Sequence, residues 1–304
     1  MRILLFGNTG QLGWELERSL TSLGEVIAID YPAINLLDGT RARQAFRSCV
    51  EHSGIPQVIV NATGYTAVDK AENDEGPCTA INARAPAILA EEAYDLGAAL
   101  IHYSTDYVFD GQKGSPYVEM DAPNPLGVYA RTKLEGERAV QKVGGAYLIL
   151  RLSWMYSLRR DSFVTKVLGW SRKQPILRVV TDQIGNPIWA RTAAEATAQL
   201  LAMGSGCASH ASDIVPWLKE RSGVYHFVGS DRASRYEWAQ AILRLDAKRD
   251  EQITERILPA LTSEFPTPAQ RPLFSALDNH KLNQTFGLCL PPWETALRLA
   301  MAAC

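Results

Sequence analysis

The chain of 304 residues is 46% hydrophobic and 21% charged, with a net charge of −2. That balance excludes the basic excess that marks a nucleic-acid partner or an anionic membrane surface, and the length suits a large core in about two domains. Five scattered cysteines without a Cys-x-x-Cys pair argue against zinc ribbons and disulfide scaffolds, and for reduced thiols in a cytoplasmic protein with small-molecule partners.

Arg2 to Phe6 is an apolar run that meets glycine almost at once, too short for a signal peptide's core or for a bilayer span. It enters Gly7-Asn-Thr-Gly-Gln-Leu-Gly13, after which Trp14, Leu16, Leu20 and Leu23 recur at helical spacing. The reading is strand, glycine turn, helix. Gly7, Gly10 and Gly13, with Gln11 and Leu12 between them, let the backbone approach a pyrophosphate whose charge meets the free N–H groups of the helix N-terminus. A second strand, Glu25 to Asp30, ends in a carboxylate placed to accept hydrogen bonds from an adenosine ribose, or else to cap a turn. Tyr31, Pro32 and Ala33 bring no cation for a 2′-phosphate, so NADH and NADPH are both expected to serve, within about tenfold of each other.

Strand-like runs follow at Val58–Asn61, Ala98–Thr105 and Ala146–Leu150, with intervals long enough for helices. Such alternation predicts an α/β fold, a Rossmann-like doubly wound parallel sheet with ligands at the carboxyl ends of its strands. Gly7, Asp30, Thr63 and Thr105 should therefore converge. The small residues of Asn61-Ala-Thr-Gly-Tyr-Thr66 leave room there for the sugar and nicotinamide of a cofactor.

Tyr129 and Lys133 stand four residues apart, so on a helix they share one face. A phenol of pKa about 10 is a weak acid near neutral pH unless a cation favours its phenolate, and Lys133 is that cation. With Thr105 and the glycine turn, the pair reads as a nucleotide-dependent carbonyl reductase. Beyond Trp154 the pattern is less regular, which divides the chain into a dinucleotide-binding domain over 1–154 and a smaller, mainly substrate-binding domain over 155–304, with part of 182–225 returning to the first. Met203 to Gly223 reads as an inserted surface loop, rich in Gly and Ser, followed by a short helix around Trp217. The histidines have no metal-ligand spacing, and no metal is expected. Arg271, in the loop Pro266-Thr-Pro-Ala-Gln-Arg-Pro272, is placed either to meet a diphosphate bidentately or to fix its loop through an ion pair.

On these motifs, together with Val68-Asp-Lys-Ala-Glu72, Tyr103-Ser-Thr-Asp-Tyr-Val-Phe109, Arg151-Leu-Ser-Trp-Met-Tyr156 and Asp182-Gln-Ile-Gly-Asn-Pro187, nearly the whole chain resembles the extended short-chain dehydrogenase/reductases. Within them it is most similar to the dTDP-4-dehydrorhamnose reductases. The resemblance implies hydride transfer from NADPH or NADH to C4 of a dTDP-4-keto-sugar. Tyr129 would be the proton donor, Thr105 a second hydroxyl on the same oxygen, and Lys133 the ribose ligand that lowers the phenol's pKa. It adds Gly64, Thr66 and Tyr103 to the cofactor side. Val68, Asp69, Asp106 and Trp154 join the sugar side, where Trp154 offers a flat apolar face or serves as core. Glu15 matches an acidic position at which some members hold a dimer-bridging metal, but Arg191 and Pro292 replace two others, so a monomer or weak homodimer is expected. The alternatives are a reductase or epimerase of another nucleotide-linked keto-sugar, and a non-catalytic NADP-binding regulatory subunit.

Overall fold

The computed structural model describes residues 1–206 and 214–302. Five strands, β1 (Arg2–Phe6), β2 (Glu25–Ile29), β3 (Val58–Asn61), β4 (Ala99–Thr105) and β5 (Ala146–Leu152), and a sixth at Gly223–His226 form one sheet. Its order is Gly223–His226, β5, β4, β3, β1, β2, and every neighbouring pair is parallel. The chain reverses its direction of travel across the sheet between β1 and β3, and the crevice at such a switch point is where doubly wound sheets bind nucleotides.

Helices cover both faces, so the strands are apolar on both sides. Ile3, Leu5, Val60, Ile101 and Leu148 pack with Leu12, Leu16 and Leu20 of the helix Gln11–Leu20, and with Leu200 and Leu201 of the helix Ala190–Gly206. Their alternates Leu4, Phe6, Ile59, Leu100 and Ile149 pack with Phe46, Leu89, Ala93 and Val140 on the opposite face. Each such side chain, fully buried, contributes about 1.5–3 kcal/mol relative to exposure. The two faces therefore fix the strand register.

A second cluster is centred on Trp238, with Tyr156, Val164, Leu177, Ile242 and Leu297 around it. It joins the helices Phe163–Ser171, Arg235–Leu245 and Trp293–Ala302 to the parallel pair Ile176–Val180 and Arg256–Ala260. Capping boxes start two of these helices: Ser162 with Thr165, and Ser234 with Glu237.

The expected inserted loop differs in part. The helix Ala190–Gly206 runs through Met203 and Gly204 and ends only at Gly206, while a short helix does form at Ile214–Lys219 around Trp217. A Cβ on Gly204 would stand 2.8 Å from the Trp217 ring, so its bare backbone lets the two helices pack. Residues 207–213 of the expected loop lie outside the described residues.

Candidate active site

A cavity of about 780 Å³ opens at the carboxyl ends of the strands. On one side it is lined by Gly10, Gln11 and Leu12 from the glycine turn and by Thr63, Gly64 and Thr66 from the loop after β3. Gly7 takes φ +86°, a region in which side chains are strained. A Cβ on Gly13 would fall 1.9 Å from the Gly7 carbonyl oxygen, so these two glycines shape the turn without lining the cavity. Asp30 is fixed beside the turn: its Oδ2 accepts from the Thr9 backbone N–H at 3.1 Å and from the Thr9 hydroxyl at 2.6 Å. Gln11 Oε1 is buried without a partner in the described structure. A close-approach glycine cradle, an orphaned acceptor and a carboxylate at the second strand's end together fit a dinucleotide.

The reactive groups come from β4 and the helix Val128–Val143. That helix is held by Glu72, whose Oε1 accepts the Val128 N–H at 2.9 Å, which gives the Val68–Glu72 motif a physical task. Asn82, in a π-helical segment at Ala80–Arg84, bonds both the N–H and the carbonyl of Tyr65 and so fixes the loop that carries Thr63, Gly64 and Thr66. Tyr129, Lys133, Thr105, Tyr103 and Asp106 all reach the cavity wall.

Lys133 is buried, and its Nζ donates to the Tyr103 carbonyl at 2.5 Å. Burial draws its pKa down to about 8, against the opposing pull of Glu137. Burial also pushes the Tyr129 phenol above its ordinary value, opposed by the adjacent Thr105 hydroxyl. This departs from the expectation that Lys133 lowers the phenol: desolvation dominates here, and the ammonium is engaged by a backbone carbonyl. The Thr105 hydroxyl donates to Asp106 Oδ1 at 3.2 Å. Asp106 also accepts from Ser153 at 2.8 Å and Ser275 at 2.5 Å, and burial nevertheless pushes its pKa up to about 6.

Val68 and Trp154 line the opposite part of the cavity. Trp154 holds φ +45°, a strained conformation for a bulky residue, and its ring stacks on Trp238 at 5.8 Å between centroids. It is therefore both core and cavity wall. Asp69 and Arg271 stand outside the lining: they form an ion pair at 2.7 Å, and the Ala269 N–H bonds Asp69 as well. Of the two readings of Arg271, the ion pair is the contact present.

Sequence reasoning passed over Arg235, which lines the same cavity with its guanidinium 3.7 Å from the Trp154 ring centroid. The signal was the Ser234-Arg-Tyr-Glu237 capping box, which places Arg235 at the first turn of its helix. It also gave no role to Glu72, Asn82, Ser153 or Ser275, whose contacts are long-range.

A cavity of about 870 Å³ lies elsewhere, against Trp14, Glu15, Arg159, Arg191 and Glu195. It lacks Tyr129, Thr105 and Lys133, the residues expected to carry the chemistry, which all line the smaller one. Glu15 faces Arg191 and Arg18 there, while Arg191 pairs with Glu195 at 2.7 Å. Among the described residues no three His, Cys, Asp or Glu side chains cluster to hold a metal, and no helix is long and apolar enough to cross a membrane.

Residues 1–304 match the family model described as the RmlD substrate binding domain. A dTDP-4-dehydrorhamnose reductase of Burkholderia thailandensis is 37% identical over 310 residues, covering 99% of this chain and 98% of that one. A solved structure of such a reductase from Clostridium acetobutylicum superposes with a TM-score of 0.87 at 31% identity, covering 100% of this chain and 99% of that one. The reductase of Bacillus anthracis, solved in complex with NADP, gives 0.84 at 26% identity, covering 100% and 99%.

Proposed function

The chain belongs to the RmlD family, and from that premise we propose that it reduces dTDP-4-dehydro-β-L-rhamnose at C4 to dTDP-β-L-rhamnose, with NADPH or NADH as reductant. The observation that carries the reading is the meeting of Thr105, Tyr129 and Lys133 in one cavity beside the glycine cradle. The nicotinamide, when bound, supplies the hydride. The chain's own residues do the rest.

Tyr129 donates its phenolic proton to the C4 oxygen as charge develops there, and Thr105 offers that oxygen a second hydrogen bond. Lys133, which donates to the Tyr103 carbonyl, would hold the ribose hydroxyls of a bound cofactor. Gly10, Gln11 and Leu12 would take the pyrophosphate in the turn that Gly7 and Gly13 shape, and Asp30 the adenosine ribose. Thr63, Gly64, Thr66 and Tyr103 line the nicotinamide side. Asp106, Val68 and Trp154 take the sugar, with Asp69 and Arg271 at the edge of that site. Residues 1–154, with the strand Gly223–His226, make the dinucleotide domain, and most of 155–304 the substrate domain. We read the protein as a cytoplasmic monomer or weak homodimer without a bridging metal, because Glu15 already stands in the field of the Arg191 and Arg18 cations.

The test is purified protein with the dTDP-4-keto-sugar and reduced cofactor. Loss of absorbance from the reduced nicotinamide and a rhamno-configured product by NMR are expected. A different C4 configuration would point to another nucleotide-linked keto-sugar, and no oxidation at all would reject the assignment.

A further inference from the structure

We propose that Arg235 anchors the diphosphate of the nucleotide sugar inside the cavity that holds Tyr129. This deepens the proposed function and rests on its reading of the substrate as a diphosphate ester.

The placement of Arg235 is set by three aromatic rings. Its guanidinium lies 3.7 Å from the Trp154 centroid, 4.8 Å from Phe163 and 5.4 Å from Trp238. Ser234 and Glu237 fix the turn from which it projects. Stacking of this kind holds the planar fork in one orientation while leaving its edge donors open.

Within the protein those donors face the Tyr107 hydroxyl, a neutral partner, and no carboxylate. Among the described residues Arg235 makes no carboxylate ion pair within 4 Å, whereas Arg151 is paired with Glu137 and Arg271 with Asp69. The carboxylate electrostatically nearest to it, Asp106, is already satisfied by Ser153 and Ser275. Burial draws the Arg235 pKa down, opposed by Tyr107 and Asp106. A half-buried guanidinium with only a neutral hydroxyl beside it is under-compensated, and a neutral hexose gives no reason to keep one. The anionic part of the proposed substrate does, because two phosphate oxygens match the fork bidentately. Tyr107 has both Arg235 and Arg271 as electrostatic neighbours, so a second cation stands close by. The cofactor's own diphosphate is served at the other end by the glycine turn.

The experiment measures dTDP and thymidine binding by calorimetry in the presence of saturating NADPH, for wild type, Arg235→Gln and Arg235→Lys. Arg235→Gln should weaken dTDP about 10- to 100-fold and thymidine less than about threefold, with NADPH affinity unchanged. Arg235→Lys should recover part of the loss, since charge returns without the fork. In turnover the Gln variant should raise KM with kcat nearly kept, as expected for a contact equal in ground and transition states. Equal weakening of dTDP and thymidine would assign Arg235 to packing of the Trp154 cluster and overturn the proposal, as would unchanged dTDP affinity. Wild type that bound dTDP yet reduced no keto-sugar would refute the reaction and leave the anchor standing. Wild-type turnover with an unchanged KM in both variants would refute the anchor alone.

Discussion

The Tyr129 phenol is protonated at neutral pH even at its ordinary pKa, and burial raises that pKa further; the protonated phenol is the form that a reduction would consume. Replacing it with Phe keeps the ring and its edge contact with Tyr107 but removes the proton. Tyr129→Phe should therefore lower kcat by about 10²–10⁴ while the cofactor still binds, as measured by single-turnover kinetics and NADPH titration. Wild-type turnover in that variant would remove Tyr129 from the chemistry. Asp106 gives a pH signature of its own. Its pKa of about 6 lies above the ordinary 3.8, so the folded state keeps this proton longer than the unfolded chain does. Its contribution to stability is complete below about 4 and is lost as pH rises through 6. If Asp106 takes the sugar as proposed, hydroxyl donors favour its ionised form, so KM for the keto-sugar should fall as pH rises through about 6. In Asp106→Asn that inflection should vanish. If it persisted, another group would own it.

The helix Val128–Val143 carries both Tyr129 and Lys133, and its seat is set by a close approach at Gly136. A Cβ there would meet the Asn82 carbonyl oxygen at 2.1 Å, so Gly136→Ala must push the helix off the π-helical segment. We expect a loss of about 1–3 kcal/mol in unfolding free energy, together with reduced kcat. A melt and a rate equal to wild type would show that the helix has room. Elements of this kind divide into those legible in sequence and those that are not. β1 and β3 are legible because a short run of Ile, Leu or Val breaks off at a glycine turn or at Asn61-Ala-Thr-Gly, and the period then changes. Tyr129 and Lys133 are legible as a pair because helix geometry is local. Arg235 is not, since its meaning arises from meeting Trp154 across a fold that neither segment announces. Asn82 is illegible for the same reason, as is the close approach of Gly204 to Trp217 that lets the two helices pack.

On the scale of the whole molecule, the sheet is assembled in an order that the chain cannot follow from one end to the other. β5 pairs with β4 on one side, and its other side is closed only by Gly223–His226. On a ribosome adding about 5–20 residues per second, the roughly seventy residues between them take several seconds to emerge. During that interval β5 is a bare edge, with Leu148 and Leu150 flanking an open row of N–H and carbonyl groups, the kind of surface that recruits a neighbouring nascent chain. A chain ending after Leu152 should accordingly pellet with its own copies, and one extended through His226 should sediment as a smaller species. Equal sedimentation of the two would show that β5 is shielded by other means. The parallel strand that completes the six-stranded sheet thus sets a minimum length of polypeptide below which this protein is exposed to misassembly, so slow codons or stalls in the stretch before Gly223 would be expected to reduce its yield more than stalls after His226.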